Sequence, residues 1–482
     1  MKAASTWLGA FVVMTTLSCA AIGAGEDVNV VPSSPDADLP LVSLPAVTLS
    51  SIDAAATGRQ ASYQADAAVG ARVDQLEAEV AALRNELNLH AIESAPIYVT
   101  AAPAEKSVYP NARLTGFFQV DAGWFNQDAA SIAQFQDIQD DRGFRRARLA
   151  AVGDVAESTS YMMEFDFAFP GRPSFMDVWL EQHDLPLVGN MRIGQFRTYF
   201  GMTEMTSARE LTFLERPLPA AFAPFRQTGI AFHDTYGDGA GTWGIGGFGF
   251  PTDFYGGSLG DDGYGMSGRL TALAYQSPDE YSFLHVGGGY VLVRPTGDVL
   301  QYRSTPEYGG PFGGTGGTIG DVPFFVDTNS FAATQSQVVN AELAGGVGSL
   351  YVQSEVRYAT VNRIGSGSVT FPGAYVHTGY FLTGERRPYN RAGGVLGRVV
   401  PLDPVGKCGG CGAWEIAARY SYIDLNQSDI QGGRLSDATL GLNWYLNQYT
   451  KFQLNYIRAM LDRTPSGDSD TNIVGVRAQL DF

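Results

Sequence analysis

From residue 109 to the last residue, apolar and polar side chains alternate in short runs. In "YMMEFDFA" Tyr161, Met163, Phe165 and Phe167 share one face and Glu164 and Asp166 the other. In "WEIAARYSYI" Trp414, Ile416, Ala418, Tyr420 and Tyr422 stand opposite Glu415, Arg419 and Ser421. "LGLNWYLN" sets Leu440, Leu442, Trp444 and Leu446 against Asn443. The terminal "TNIVGVRAQLDF" sets Val474, Val476, Ala478, Leu480 and Phe482 against Gly475, Arg477, Gln479 and Asp481. A period of two predicts strands. A water-soluble sandwich shares that alternation, but aromatic residues gather toward the ends of the apolar faces, and the final strand ends on an aromatic, as in a transmembrane barrel.

Sixteen strands are predicted, near 112–125, 144–154, 160–168, 176–183, 191–197, 227–233, 242–250, 264–276, 281–291, 337–344, 349–359, 374–383, 413–423, 435–445, 452–461 and 472–482. An even number lets a closed antiparallel barrel bring both ends to one side. Alternate connections are short (155–159, 277–280, 345–348, 446–451), and the others include the long 126–143, 198–226 and 292–336. That asymmetry fits short periplasmic turns and long external loops. Residues 384–412 break it, being long on the short-turn side.

Ahead of the barrel the texture differs. Lys2, the apolar stretch Trp7 to Leu17 and the small residues from Cys19 to Ala24 make residues 1–24 a predicted export signal. Residues 25–62, rich in Ser, Pro, Ala and Asp, read as a disordered tether. In 63–90, Val69, Val73, Leu76, Val80, Leu83 and Leu87 recur at alternating steps of four and three. This a/d seam predicts a short homo-oligomeric coiled coil rather than a helix docked on its own domain, and its length does not choose between two strands and three. A linker, 91–108, leads into the barrel at 109–482.

Composition agrees. Of 482 residues 58 are Gly, 12% are aromatic and only 17% are charged, a mix suited to strands and turns. Past the N-terminus no 18-residue apolar run occurs, which excludes a helical membrane bundle. The net charge of -18, from 32 basic and 50 acidic residues, disfavours nucleic acid as a partner. Enzymatic motifs are missing: there is no G-x-S-x-G and no H-E-x-x-H, and the glycine-rich 309–320 sits in a β–β loop rather than before a helix. His183, His233, His285 and His377 are scattered singly, so no catalytic site, metal site or cofactor is expected. Export leaves Cys408 and Cys411, for which a local disulfide is the plain expectation. A redox CxxC would need a βαβ context the sequence lacks.

Against this acidic background "FRRARLAAVGD" places three arginines in four residues. With Ala147, Leu149 and Ala151 facing lipid, Arg146 and Arg148 point into the lumen. Arg145 falls on the lipid-facing parity at the strand's outer end, where it would snorkel to headgroups. The luminal pair would either be neutralised by Glu164 and Asp166 on the next strand or form a track for anions. Guanidinium suits such a track because its fork matches carboxylate and phosphate oxygens and keeps its charge. Arg192 in "MRIGQF", Arg197, Arg209, Arg216, Arg226 and Arg303 extend the candidate set.

"FRRARL", "RIGQF", "FGMTEMTSARELTFLERPLPAAFAPFRQTG", "YVHTGYFLTGERRPYN", "GAWEIAARYSYIDL" and "GLNWYLN" together resemble the phosphate-selective porin family, the O/P-type porins, over about residues 109–482. The resemblance implies a sixteen-stranded barrel that trimerises in the outer membrane, with an arginine ladder leading phosphate to a constriction. It implies that 198–226 and 292–336 are the third and fifth external loops, folded inward. By the same resemblance 384–412 is a long periplasmic turn that Cys408–Cys411 would staple, and the coiled coil favours three strands. Arg145 and Arg146 match the family's paired arginines, and Arg209 and Arg216 lie in the matching constriction loop. Where selective members also use lysine clusters, this chain has four lysines, at 2, 106, 407 and 451, and 28 arginines. The expected function is therefore a passive outer-membrane channel for phosphate, polyphosphate or other small anions, with both ends of the chain periplasmic. The alternatives are a general diffusion porin whose arginines are neutralised, and a barrel anchoring a structural tether.

Overall fold

The computed structural model describes residues 108–168, 171–309, 322–406 and 409–482. The predicted signal, tether and coiled coil, the linker up to residue 107, and Cys408 all lie outside the described residues.

Sixteen long strands form the wall: β1 (Arg113–Gln127), β2 (Asp141–Ala156), β3 (Thr159–Asp166), β4 (Ser174–Leu185), β5 (Gly189–Arg197), β6 (Arg226–Tyr236), β7 (Gly241–Gly249), β8 (Tyr264–Gln276), β9 (Ser282–Arg294), β10 (Phe331–Val347), β11 (Leu350–Arg363), β12 (Val369–Phe381), β13 (Ala413–Gln427), β14 (Ile430–Asn447), β15 (Thr450–Arg463) and β16 (Gly467–Asp481). Each pairs antiparallel with the next. β1 closes the ring by pairing with β16 from Phe117↔Asp481 to Gln127↔Thr471. Closure removes both sheet edges, so every strand's backbone finds a partner without water, as a membrane demands. Leu440, Leu343, Tyr420 and Ile416 are among the side chains left exposed on the outer face.

The start of β1, the end of β16 and the turns 157–158, 186–188, 237–240, 277–281, 348–349 and 448–449 fall at one end of the barrel, called here the turn end. The opposite, loop end carries 128–140, 167–173, 198–225, 250–263 and 295–330. As expected, 382–412 is long although it lies at the turn end.

The late strands run longer than predicted. β10 extends over Phe331–Val347 and β14 over Ile430–Asn447, where alternation marked only 337–344 and 435–445. The cause lies inside. Toward the loop end the inward positions become apolar: Val361, Phe371, Ile423, Leu435 and Leu461 are all buried. Polar side chains there (Thr360, Asn362, Thr370, Arg434 and Asp462) take the outward parity, so the sense of the alternation is reversed. Leu218 and Phe222 from loop 198–225, and Tyr302, Phe325 and Val326 from loop 295–330, pack on this inner seat. A second seat at the turn end joins Tyr351, Phe381 and Tyr445 of the wall to Val395, Leu396 and Val399 of connection 382–412. The lumen is thus partly apolar, and its apolar patches are where three connections fold inward.

Candidate channel constriction

Loop 198–225 carries a short helix, Met202–Met205, and two 3-10 turns at Ala208–Glu210 and Leu218–Phe222. Irregular backbone at membrane depth needs its polar groups satisfied by protein, and the luminal side chains of β1, β13, β14, β15 and β16 do this. Gln119 Nε2 donates to Ala208 O at 3.2 Å, Lys451 Nζ to Leu211 O at 3.0 Å and Asn443 Nδ2 to Thr212 O at 2.9 Å. Arg477 Nη1 donates to Leu214 O at 2.5 Å and Arg419 Nη1 to Glu215 O at 3.0 Å. Much of the polar lining on this side therefore serves to hold the loop.

Two buried ion clusters pin the loop. On the β11 side, fully buried Arg357 donates to both oxygens of Glu204, at 2.8 and 2.6 Å, and to Glu355 at 2.7 Å. Gly201 allows this approach, since a Cβ there would stand 2.4 Å from Arg357 Nη2. On the β1 and β2 side, Glu215 accepts from Arg145 at 2.8 Å, Arg146 at 2.9 Å and Arg477 at 3.0 Å. Burial alone would raise the Glu215 carboxyl, but Arg145, Arg146 and Arg477 together hold it below the ordinary carboxylate range.

Arg145 corrects the strict alternation. It turns into the barrel instead of reaching for headgroups. β1 and β2 slip register at this point, with Gln119 opposite Arg146 but Val120 opposite Phe144. Arg145 is the extra residue of that bulge, so it joins Arg146 inside. Arg146 and Arg148 face inward as predicted. Arg148 is paired with Asp166 at 2.8 Å and Glu164 at 3.6 Å, the neutralised alternative for that residue. Arg226 is held by Asp177 at 2.6 Å and Arg192 by Glu181 at 2.5 Å. Arg197 donates to Met205 O at 2.9 Å and lies 3.9 Å from Asp177.

Arg216 differs. Its Nε and Nη2 donate to the carbonyls of Thr203 and Thr206 at 2.8 and 2.7 Å, and its guanidinium lies 4.7 Å from the centre of the Phe225 ring. Burial, followed by the charge on Arg197, brings its pKa down to about 9, so it remains a cation at neutral pH. Arg209 shares the Phe117 ring with Arg148, whose guanidinium lies 5.4 Å from its centre. Arg209 lies near the turn end, 3.4 Å from Thr115 Oγ1 and 4.9 Å from the Phe117 ring.

Arg145, Arg146, Arg148, Arg216, Arg226 and Arg303 border one cavity of about 390 Å³, along with the carboxylates Asp166, Glu215, Asp253 and Glu307. A second cavity, about 20 Å³, lies beside it against His377 and Arg387. Glu215, Arg216 and Pro217 border both and so stand between them, a position called here the neck. Pattern reading missed Glu215, Arg357 and Asp177. The parity of "SEVRYA" already sets Glu355 and Arg357 on one face, but Glu215 and Glu204 sit in a loop without periodicity. The histidines hold local roles: His233 contacts Glu181 at 2.9 Å and His285 contacts Tyr389 Oη at 2.7 Å. Among the described residues no group of His, Cys, Asp and Glu is placed to hold a metal ion.

Residues 113–482 match the family described as phosphate-selective porin O and P. An uncharacterized protein of Caulobacter vibrioides is 27% identical over 417 residues, covering 81% of this chain and 78% of its own. Porin O of Pseudomonas aeruginosa is 23% identical over 378 residues, covering 70% of this chain and 81% of its own. Among solved structures, the trimer form of OmpT from Vibrio cholerae is 10% identical with a TM-score of 0.46, covering 77% of this chain and 99% of that one. The anion-selective porin from Comamonas acidovorans is 14% identical with a TM-score of 0.45 at the same coverages.

Proposed function

The chain belongs to the phosphate-selective porin O and P family, and from that premise we propose that this outer-membrane barrel is a passive pore for small anions, phosphate or polyphosphate foremost. The observation that carries the reading is Arg216, a cation at the neck that no carboxylate among the described residues caps. Around it the cavity has more guanidinium groups than carboxylates. A dehydrating phosphate finds fixed donors there, while Glu215, Asp166 and Asp177 moderate the attraction enough for release. A pore needs nothing hydrolysed and no cofactor.

In single-channel recordings the pore is expected to prefer chloride to potassium, and added phosphate should block the chloride current. Arg216→Ala should weaken that block about tenfold or more, since a charge-assisted contact contributes roughly 1.5–3 kcal/mol. An unchanged block removes Arg216 from the path. The second reading, a general diffusion porin, draws on the carboxylates that cap Arg148, Arg192 and Arg226. Weak selectivity without phosphate block would decide for it.

The same reading places both chain ends and connection 382–412 in the periplasm and takes the assembly as a homotrimer, its Val/Leu seam adding a short coiled coil. Cys411 is exposed, which leaves it open to the proposed bridge with Cys408. A mass in detergent of one chain rather than three would overturn the trimer, and non-reducing peptide mapping tests the bridge.

A further inference from the structure

The larger cavity is too roomy, and too apolar on one side, for inorganic phosphate alone. At about 390 Å³ it reaches the range of sites for small organic molecules, roughly 300–1,000 Å³. Its walls divide by chemistry. The guanidinium wall comes from β2 and β6, with Arg216 at the neck. The other is Ala220, Ala221, Ala223, Pro224 and Phe225, the tail of loop 198–225. This tail is fixed: Leu218 and Phe222 are buried in the inner seat, and the backbone N–H of Leu218 donates to Ser421 Oγ at 2.9 Å. Phe225 is held at φ 51° with the guanidinium groups of Arg216 and Arg226 at 4.7 and 5.0 Å from its ring centre. An apolar surface and fixed cations meet along one edge. A fully hydrated inorganic anion gains nothing from the alanine and proline wall. An anion with an apolar body gains on both sides.

We infer that this cavity selects organic anions, a phosphate monoester or carboxylate head against the arginines with an alkyl or aryl body along residues 220–225. The inference rests on the anion-pore reading and names a solute class within it. The probes are methyl, butyl and hexyl phosphate, with hexanoate as the carboxylate arm, each titrated against the chloride current of the full-length protein in a planar bilayer. Butyl phosphate should half-block at a concentration roughly tenfold below methyl phosphate, the gain expected of three half-buried methylenes, with hexyl phosphate lower again. Hexanoate below hexyl phosphate in half-blocking concentration makes carboxylates the favoured head, and the reverse order makes phosphate monoesters so. Ala221→Asn should flatten the dependence on chain length and leave the block by inorganic phosphate in place. Equal potency of methyl and butyl phosphate on the unaltered protein, with anion preference intact, overturns the inference alone. Cation preference in the reversal potential overturns the pore reading with it.

Discussion

Arg357→Met should release the constriction loop from β11, giving larger and noisier single-channel currents and a lower melting temperature. The residue is fully buried and bonds Glu204, Glu355, Asn340 Oδ1 at 3.1 Å and Pro219 O at 3.1 Å. Removing it leaves two carboxylates in the interior with no counter-charge, a loss of about 3–5 kcal/mol. The loop relieves it by moving Glu204 toward water, which widens the path. Adding Glu204→Gln and Glu355→Gln to the same chain should recover part of the melting temperature, because the stranded charges are then gone. Unchanged current noise and melting temperature in the single variant would show that the loop is held elsewhere.

Glu215→Gln should push selectivity further toward anions. Glu215 sits at the neck among three arginines, of which, among the described residues, only Arg477 has a second carboxylate, Asp121 at 2.6 Å. A unit charge acting on an ion ~8 Å away at an effective dielectric of ~20 is worth about 2 kcal/mol, and salt screening reduces that. The permeability ratio of chloride to potassium should therefore rise roughly tenfold, read from the reversal potential in a salt gradient. A ratio that stays flat would mean that permeating ions do not pass Glu215. Phosphate should block this variant at lower concentration but leave more slowly, as a site with less compensating charge holds its ion longer.

The wall was legible because each strand meets two solvents, lipid outside and a polar filling inside, and the sequence alternates accordingly. Legibility failed at Val361, Phe371 and Leu435, which face loops instead of water, so the alternation at those strand ends runs in the opposite sense. It failed again at Arg145, where one extra residue in β2 reverses parity and only the paired strand reveals it. The arginines themselves could be listed from sequence, and Arg146, Arg148, Arg216 and Arg226 do meet at one cavity. Arg209 comes from the same loop as Arg216 but does not border that cavity, since the loop's course follows its anchors rather than any local pattern. The acidic partners were half visible: Glu164 and Asp166 by strand parity, Glu215 not at all.

Asp121 and Arg477 face each other across the β1–β16 seam, and Arg477 also holds Glu215 and Leu214 of the loop. The chain's last strand thus supplies one anchor for a segment made more than two hundred residues earlier. Loop 198–225 therefore gains its full set of anchors only with the last strand in place and the cylinder joined. A barrel caught before its seam closes would be wide and leaky, and closing the seam sets the wall and the bore together.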